Sequence, residues 1–350
     1  MFDRSKPMIG FHTILKNHED VPAMLRVIEE GLAPRGFNTL ILEARYQFTC
    51  FPEYSMGTVN YQDVRQISDA CQRHGVRLVP LFPCLSHQSA EKRTSPYPLL
   101  RLHPEFMETP HMLDADLTWP DFCLHSWCAS NDDIYQYVFP MIDEMAEACR
   151  ADAVHIGMDE LFDVAMCPRC KGKSPAALYA RTIKILHDHL KEKNLDTMIW
   201  GDRLLNSLKM GYSMWEGDRF GVYPALDMED EVTRDLIICD WHYDWHSAGY
   251  PSVETFIEKG FFVVPSVYKS GENACHLWLH ALEAHYLGKR YGWPGRLGGM
   301  LFTNWHPLND AIADGMLKGM NGEAGDTNAF GADVGNAIFM TRPRLDVLKF

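Results

Sequence analysis

The sequence lacks three features that would direct it to nucleic acid, to a membrane or out of the cell. It has no basic run, and 47 acidic against 33 basic residues give a formal net charge of -14, which disfavours nucleic acid and anionic membranes as partners. No segment approaches the roughly 18 consecutive apolar residues of a membrane span. The N-terminal segment has no apolar stretch of the kind found in signal peptides. We therefore expect a cytoplasmic protein with no nucleic-acid or membrane partner.

A disulfide framework is also missing, although the chain has ten cysteines. They are spread along the sequence, many in apolar patterns, which indicates reduced buried thiols. Cys123 lies close to Cys128, and Cys167 lies close to Cys170. If neighbouring loops joined these pairs, four thiolates could bind a structural zinc ion that braces the loops near residue 160. A single C-x-x-C motif is weak support, so two unrelated reduced pairs are the preferred interpretation, and we predict no cofactor.

The pattern of apolar residues predicts one large domain. Eight short apolar runs, most of them separated by a helical pattern, are typical of an α/β fold of the (β/α)8 TIM-barrel type. We expect this barrel to occupy residues 1–325, with residues 326–350 forming a C-terminal tail packed on or near it. The predicted strands cover residues 7–14, 37–44, 76–82, 153–158, 197–200, 236–241, 261–268 and 299–305.

The fourth predicted strand carries the most informative pattern in the chain. Period-two alternation places Val154, Ile156 and Met158 on one face, and the small or polar residues between them on the other. The apolar face suits contact with surrounding helices. The strand then ends in two adjacent carboxylates, Asp159 at the barrel mouth and Glu160 at the start of the next loop. Barrel enzymes carry their chemistry at this end of the strands.

Other strand ends add aromatic and polar residues to the same rim. Aromatic faces stack on the apolar faces of pyranose rings, and carboxylates, Arg and Asn bind hydroxyl groups, so these residues suit a carbohydrate. Any single rim tryptophan could instead serve only in packing. The candidate sugar-binding residues are Arg45, His87, His155, Trp200, Asp202, Trp241, Tyr243, Tyr268 and Trp305.

Two neighbouring carboxylates on one strand cannot easily face each other across a glycosidic bond, as most glycosidases require. They fit better a reaction in which Glu160 protonates the leaving oxygen while the 2-acetamido group of the substrate acts as the nucleophile. Asp159 would then orient that group and stabilise its developing positive charge. Its negative charge would also help to keep Glu160 protonated.

These residues resemble glycoside hydrolase family 20, the β-N-acetylhexosaminidases. The fourth barrel strand of that family ends in His-x-Gly-Gly-Asp-Glu, and residues 155–160 of this chain read His-Ile-Gly-Met-Asp-Glu. Residues 79–87 are similar to the family's third strand, and residues 198–202 to its fifth. The resemblance covers residues 7–306 and does not include the extra N-terminal domain common in the family.

The resemblance implies an exo-acting, retaining, substrate-assisted enzyme that acts on an amino-sugar-containing oligosaccharide or glycoconjugate. Asp159 would be the polarising carboxylate and Glu160 the acid/base. Trp200, Trp241 and Trp305 would form the walls of the acetamido pocket. Tyr243 or Tyr268 would donate a hydrogen bond to the acetamido oxygen.

Three departures from the family pattern affect the sugar site. Met158 replaces the second glycine, which makes the backbone less free at that position. The first strand lacks the arginine that binds sugar hydroxyls, and Arg45 on the second strand could stand in for it. After Trp305 comes His306, where the family often has a nearby glutamate. The choice between GlcNAc and GalNAc therefore stays open.

Three other functions are compatible with the sequence. A two-carboxylate glycosidase could pair Glu160 with Asp202 or Asp240 and hydrolyse sugars without an acetamido group. A metal-dependent hydrolase could use His12, His155 and His242, although the first strand lacks a His-x-His pair. A non-catalytic sugar-binding barrel is the third alternative.

Overall fold

The computed structural model describes residues 2–89, 96–112, 125–218, 234–323 and 331–348, and it shows a closed barrel of eight parallel strands surrounded by helices. The barrel strands are β1 to β7 and β9, and a two-residue strand, β8, pairs only with β7. The strand bounds are β1 (Met8–Leu15), β2 (Thr39–Ala44), β3 (Arg77–Cys84), β4 (Ala153–Gly157), β5 (Asp196–Trp200), β6 (Ile237–Trp241), β7 (Phe262–Val267), β8 (Arg296–Leu297) and β9 (Gly299–Pro307).

Each barrel strand pairs with its neighbours in chain order, and the barrel closes where β9 pairs with both β7 and β1. His12 of β1, for example, is in register with Ile41 of β2 and with Thr303 of β9. All these pairs are parallel, so every strand ends at the same rim. The (β/α)8 prediction is confirmed.

The helices cover the outside of the barrel, as the apolar faces of the strands require. None of the helices in the described ranges is both long and apolar enough to span a bilayer. Their bounds are α1 (Val21–Arg26), α2 (Tyr61–Arg73), α3 (Pro98–Leu102), α4 (Tyr135–Cys149), α5 (Pro175–Glu192), α6 (Ser207–Met210), α7 (Pro251–Glu258), α8 (Gly271–Tyr291), α9 (Asp310–Met320) and α10 (Ala332–Thr341).

Two apolar layers hold the fold together. The larger one lies between the strands and the helices, and the smaller one fills the barrel axis with inward-facing side chains such as Ile41, Val79, Met198 and Leu301. The tryptophans of the rim rest on this inner layer. The floor of the barrel mouth is therefore a packed core.

Two local predictions need correction. Asn131 directly precedes a helical pattern in the sequence, which predicts that it caps that helix, but its side chain makes no cap hydrogen bond, and its amide donates to the backbone oxygen of Glu105 at 3.1 Å. A 3-10 turn follows it, and α4 begins only at Tyr135. The fourth strand ends at Gly157, one residue earlier than the alternation predicts, since Gly157 and Met158 both have positive φ angles.

The described part of the C-terminal segment belongs to the helical layer. Helix α10 packs on α8 and α9, and Val334 and Ile338 are fully buried there. The crossing of α9 and α10 is very close, because a Cβ atom at Gly335 would collide with the backbone oxygen of Met316. This segment thus covers the barrel beside β9.

Candidate active site

A pocket of about 500 Å³ opens at the carboxyl ends of the strands. Such a volume is within the range of small-molecule sites. The lining combines a cluster of acids with a wall of aromatic rings. The residues that line it are Ile14, Glu43, Arg45, Leu81, Pro83, His87, Ser89, Tyr97, Asp159, Glu160, Trp200, Ser213, Trp215, Glu216, Trp241, Tyr243, Asp244 and Trp305.

Both predicted acids, Asp159 and Glu160, face this pocket and share one histidine. Nε2 of His87 lies 3.3 Å from Oδ2 of Asp159 and 3.3 Å from Oε2 of Glu160. The three side chains come from the ends of β3 and β4, which are neighbours in the barrel. His87 and Glu160 both have positive φ angles, of 53° and 45°. Such backbone strain in non-glycine residues is concentrated at functional sites.

The protonation of this cluster follows from burial and from its mutual contacts. Burial raises the pKa of Asp159 to about 7, helped by the carboxylates of Asp202 and Glu160 and opposed by His87. Burial also disfavours the charged form of His87, but Asp159 and Glu160 outweigh this effect and raise its pKa to about 9. Near neutral pH the site therefore contains a protonated His87, and Asp159 is close to the midpoint of its ionisation.

Asp202 organises this region from below the pocket surface. Its Oδ2 accepts from the backbone N–H of Glu160 at 2.8 Å and from Nε of Arg203 at 2.8 Å, and its Oδ1 accepts from Nε1 of Trp241 at 3.2 Å. Asp202 is almost completely buried and is not among the residues that line the pocket. The contacts of Asp202 position Glu160 and Trp241, and direct binding of the sugar by Asp202 stays a prediction that this placement does not support.

The backbone before the acids is held in an unusual conformation. Met158, at the position where the family pattern has glycine, has a φ of 69° although it is not glycine. Its side chain is fully buried in the core, and its backbone oxygen accepts from the hydroxyl of Tyr179 at 2.9 Å. Packing and this hydrogen bond compensate for a left-handed conformation that costs about 1–2 kcal/mol in an L-residue.

Three of the predicted tryptophans and one predicted tyrosine form an aromatic wall of the pocket. Nε1 of Trp305 donates to the hydroxyl of Tyr243 at 2.8 Å, and the rings of Trp200 and Trp305 lie 5.6 Å apart. The ring of Trp241 lies 4.9 Å from that of Tyr243. All four side chains line the pocket. This arrangement offers apolar faces and one phenol to a ligand.

Two further predicted sugar-binding residues lie behind this wall. His155 is fully buried, with its ring 4.4 Å from that of Trp200, and its Nδ1 accepts from the backbone N–H of Gly157 at 3.1 Å. Tyr268 lies against Tyr243, with the ring centres 5.6 Å apart. Neither residue is among those that line the pocket. The side-chain alternation correctly turns His155 inward, but Trp200 covers it.

The opposite side of the pocket is polar. Nη1 of Arg45 donates to Oε1 of Glu43 at 2.6 Å, and the guanidinium of Arg45 lies over the ring of Tyr97. Burial alone would raise the pKa of Glu43, but Arg45 and His12 lower it to about 2. The alternation of side chains along β2 predicts that Glu43 faces the mouth of the barrel. Tyr97 lies in a long connection that gives no such signal.

Glu216 is a pocket residue that the sequence does not reveal. Its Oε1 accepts from Nδ1 of His242 at 2.9 Å and from Nε2 of His246 at 2.8 Å. Burial opposes ionisation, but these two histidines lower the pKa of Glu216 to about 2. Nη2 of Arg203 donates to the backbone oxygens of Met214 and Trp215 and so holds the same loop. This loop belongs to an irregular stretch without periodicity.

Among the residues that the structure describes, two groups of side chains away from the acid pair have the composition of metal ligands. One is Glu216 with its two histidines. The other contains Cys128, Cys167 and Cys170 with Glu108, so the predicted cysteines do meet across two loops. Cys123 lies outside the described residues. The interpretation of two unrelated cysteine pairs is therefore wrong for Cys128.

The fold and this acid pair define a barrel with the site architecture of a glycoside hydrolase. The family model described as glycosyl hydrolase family 20, catalytic domain, matches residues 36–266, well over half of the chain. The chain belongs to this family. At the level of sequence, no curated protein is significantly similar to it.

Solved structures share the fold at low sequence identity. A β-N-acetylhexosaminidase from Bacteroides fragilis NCTC 9343 aligns with a TM-score of 0.64 at 12% identity, over 96% of this chain and 66% of that one. A chitobiase from Flavobacterium johnsoniae gives 0.60 at 14% identity, over 96% and 51%. Dispersin B gives 0.56 at 14% identity, over 96% and 99%. The chain thus spans about half to two thirds of the first two proteins and nearly all of the third.

Proposed function

We propose that this chain is an exo-acting, retaining β-N-acetylhexosaminidase that releases terminal β-linked GlcNAc or GalNAc by substrate-assisted catalysis. The observation that carries the proposal is the placement of Asp159 and Glu160, adjacent in sequence, at one end of a pocket with an aromatic wall. Membership of family 20 supports it, as do the family neighbours described as β-N-acetylhexosaminidases.

In this mechanism the first step forms a bond within the substrate. The acetamido oxygen attacks the anomeric carbon, the glycosidic bond breaks, and Glu160 donates its proton to the leaving oxygen. Asp159 accepts a hydrogen bond from the acetamido N–H and balances the positive charge of the cyclic intermediate. Water then attacks the anomeric carbon, and Glu160 takes up its proton. Each of the two attacks inverts the configuration at the anomeric carbon, so the overall reaction retains it.

The remaining pocket residues have roles that match their chemistry. Trp200, Trp241 and Trp305 enclose the methyl group and the sugar face, while the hydroxyl of Tyr243 donates to the acetamido oxygen. Glu43 and Glu216 have pKa values near 2 and accept hydrogen bonds from sugar hydroxyls as permanent anions. The guanidinium group of Arg45 binds sugar hydroxyls in place of the arginine that the first strand of this chain lacks. An amino-sugar-containing oligosaccharide or glycoconjugate is the substrate class that fits these groups.

The alternative functions receive less support from the geometry. Asp202 and Asp240 are both buried outside the pocket lining, so neither is placed to act as the second carboxylate of a conventional glycosidase. Within the described part of the chain, the groups with metal-ligand geometry include neither His12 nor His155. His242 belongs to a separate group with Glu216.

A panel of aryl glycosides tests the proposal directly. Wild-type protein should hydrolyse aryl β-N-acetylglucosaminide or β-N-acetylgalactosaminide and leave aryl β-glucoside intact, and a thiazoline analogue of the cyclic intermediate should inhibit it. Glu160→Gln should lower turnover by about 10² or more, as expected for loss of a general acid. Glu192→Gln, an exposed residue on α5, is the matched control.

Two results would contradict the proposal. The first is hydrolysis of aryl β-glucoside at a comparable rate, which would favour a two-carboxylate mechanism. The second is sugar binding without turnover by the wild-type protein, which would indicate a binding barrel.

A further inference from the structure

A cluster of three cysteines and one glutamate lies outside the pocket. Sγ of Cys128 lies 3.3 Å from Sγ of Cys167 and 3.4 Å from Sγ of Cys170. A carboxylate oxygen of Glu108 and the three sulfurs all lie within 4.8 Å of one another. All four side chains are buried, with Glu108 only 2% exposed.

Glu108 has one oxygen that is used and one that is not. Its Oε1 accepts from the backbone N–H groups of Met166 at 2.5 Å and Cys167 at 2.9 Å. Its Oε2 is buried and has no hydrogen-bond partner among the described residues. A buried carboxylate oxygen without a partner is costly, so it normally binds a proton donor or a cation. Here the neighbouring groups are thiols.

We propose that Glu108, Cys128, Cys167 and Cys170 bind one structural Zn²⁺ ion. Three thiolates and one carboxylate are a tetrahedral donor set of the soft type that selects zinc over Mg²⁺ or Ca²⁺. With Zn–S bonds of about 2.3 Å, tetrahedral sulfurs lie about 3.8 Å apart, so the thiols need to separate by only a few tenths of an ångström. Cys167 and Cys170 have the C-x-x-C spacing of zinc sites, and Cys170 N–H donates to the oxygen of Cys167 at 3.0 Å.

The surrounding charges favour an anionic metal centre. Binding converts three thiols to thiolates and releases their protons, which leaves the ion and its four ligands with two net negative charges. Nζ of Lys173 donates to Oγ of Ser130 at 2.9 Å, and this hydroxyl lies 3.3 Å from Sγ of Cys170. A cation is therefore connected to the cluster through one hydroxyl.

The position of the site defines its role. Glu108 and Cys128 come from the connection between β3 and α4, while the other two ligands come from the connection between β4 and α5. The second connection starts at the acid pair. Oγ of Ser126 donates to the backbone oxygen of Asp163 at 2.9 Å and joins the same two segments. Zinc therefore braces the loop that follows Glu160, and the site does not depend on the proposed activity.

Metal content is the primary readout. Full-length protein, purified without chelators and with zinc as the only added metal, should contain about one zinc per chain by elemental analysis. A mercurial thiol reagent should release that zinc to a chromophoric chelator. Native mass spectrometry should show a zinc adduct and no loss of two hydrogens, which a disulfide would cause.

The variants separate the ligands from other buried cysteines. Cys170→Ser and Glu108→Gln should lose most of the zinc, and the melting temperature of the wild-type protein should fall when a strong chelator is added. Cys149→Ser, a buried cysteine outside the cluster, and Cys123→Ser should both retain zinc. A wild-type protein without zinc, or with a disulfide in this cluster, would overturn the proposal. Loss of zinc from Cys123→Ser with retention in Glu108→Gln would overturn the assignment of Glu108.

Discussion

Replacement of Asp202 by asparagine tests how the fold positions the acid/base. The carboxylate accepts three hydrogen bonds, two of them at Oδ2 from Glu160 N–H and from Nε of Arg203. An asparagine has only one acceptor oxygen, so its amide group must face at least one of these donors. The change also leaves the buried guanidinium of Arg203 without its counter-ion.

The expected effects follow from these contacts. Breaking a buried ion pair by removing one partner costs about 3–5 kcal/mol of folding free energy. Glu160 has a positive φ and loses the hydrogen bond that fixes it, and a misplacement of about 1 Å lowers the rate by about 10²-fold. We therefore expect kcat to fall by about 10²-fold with little change in KM.

The pH dependence distinguishes positioning from general damage. The charge of Asp202 contributes to the raised pKa of Asp159, which acts as a carboxylate, so its removal should shift the acid limb of kcat/KM to lower pH. Turnover of aryl β-N-acetylglucosaminide over a pH series, together with chemical denaturation, measures both effects. Asp63→Asn is the matched control, because Asp63 is equally buried and its contacts with Asn60 and His18 lie outside the pocket lining. A rate within about twofold of wild type, or a change confined to KM, would refute this role for Asp202.

Three further predictions concern the same region. For the wild type, kcat/KM should fall as the pH drops below about 7, because protonated Asp159 no longer balances the positive charge of the cyclic intermediate; a constant value from about pH 8 down to about pH 5 would contradict this. Glu216→Gln should reduce the free energy of unfolding by on the order of 2 kcal/mol at pH 4.5–6.5. That difference should shrink toward pH 2, where Glu216 becomes protonated, and toward pH 9, where His242 loses its proton. Chemical denaturation at several pH values measures it, and a difference that does not change with pH would contradict this prediction. Met158→Ala and Met158→Gly should both destabilise the protein by about 2–5 kcal/mol through lost packing. The alanine variant should be less stable than the glycine variant by about 1 kcal/mol, because only glycine adopts the positive φ without strain; the reverse order in thermal unfolding would rule out that strain.

Local patterns were sufficient to predict the barrel and its acid pair. Apolar runs with strand or helix periodicity report which face of each element is buried, and this property depends on neighbouring residues in the chain. The alternation through β4 places Asp159 and Glu160 at the rim, and the ends of β5, β6 and β9 place Trp200, Trp241 and Trp305 there. The family motif around residue 155 added the expected chemistry.

Contacts between distant parts of the chain set which rim residues line the pocket and which lie behind its lining. His155 lies on the inward face of β4 and Asp202 follows β5 closely, but the ring of Trp200 contacts His155 and Trp241 donates to Asp202, and both residues are buried outside the pocket lining. No local pattern contains this result. Glu216 and Glu108 enter their clusters from irregular connections, where no periodicity fixes the direction of a side chain. Local periodicity in the amino-acid sequence is enough to predict the barrel and the strand end that carries its two acids. The contacts among distant loops form only when the barrel closes and brings the ends of all its strands to one rim, so no pattern of neighbouring residues predicts them.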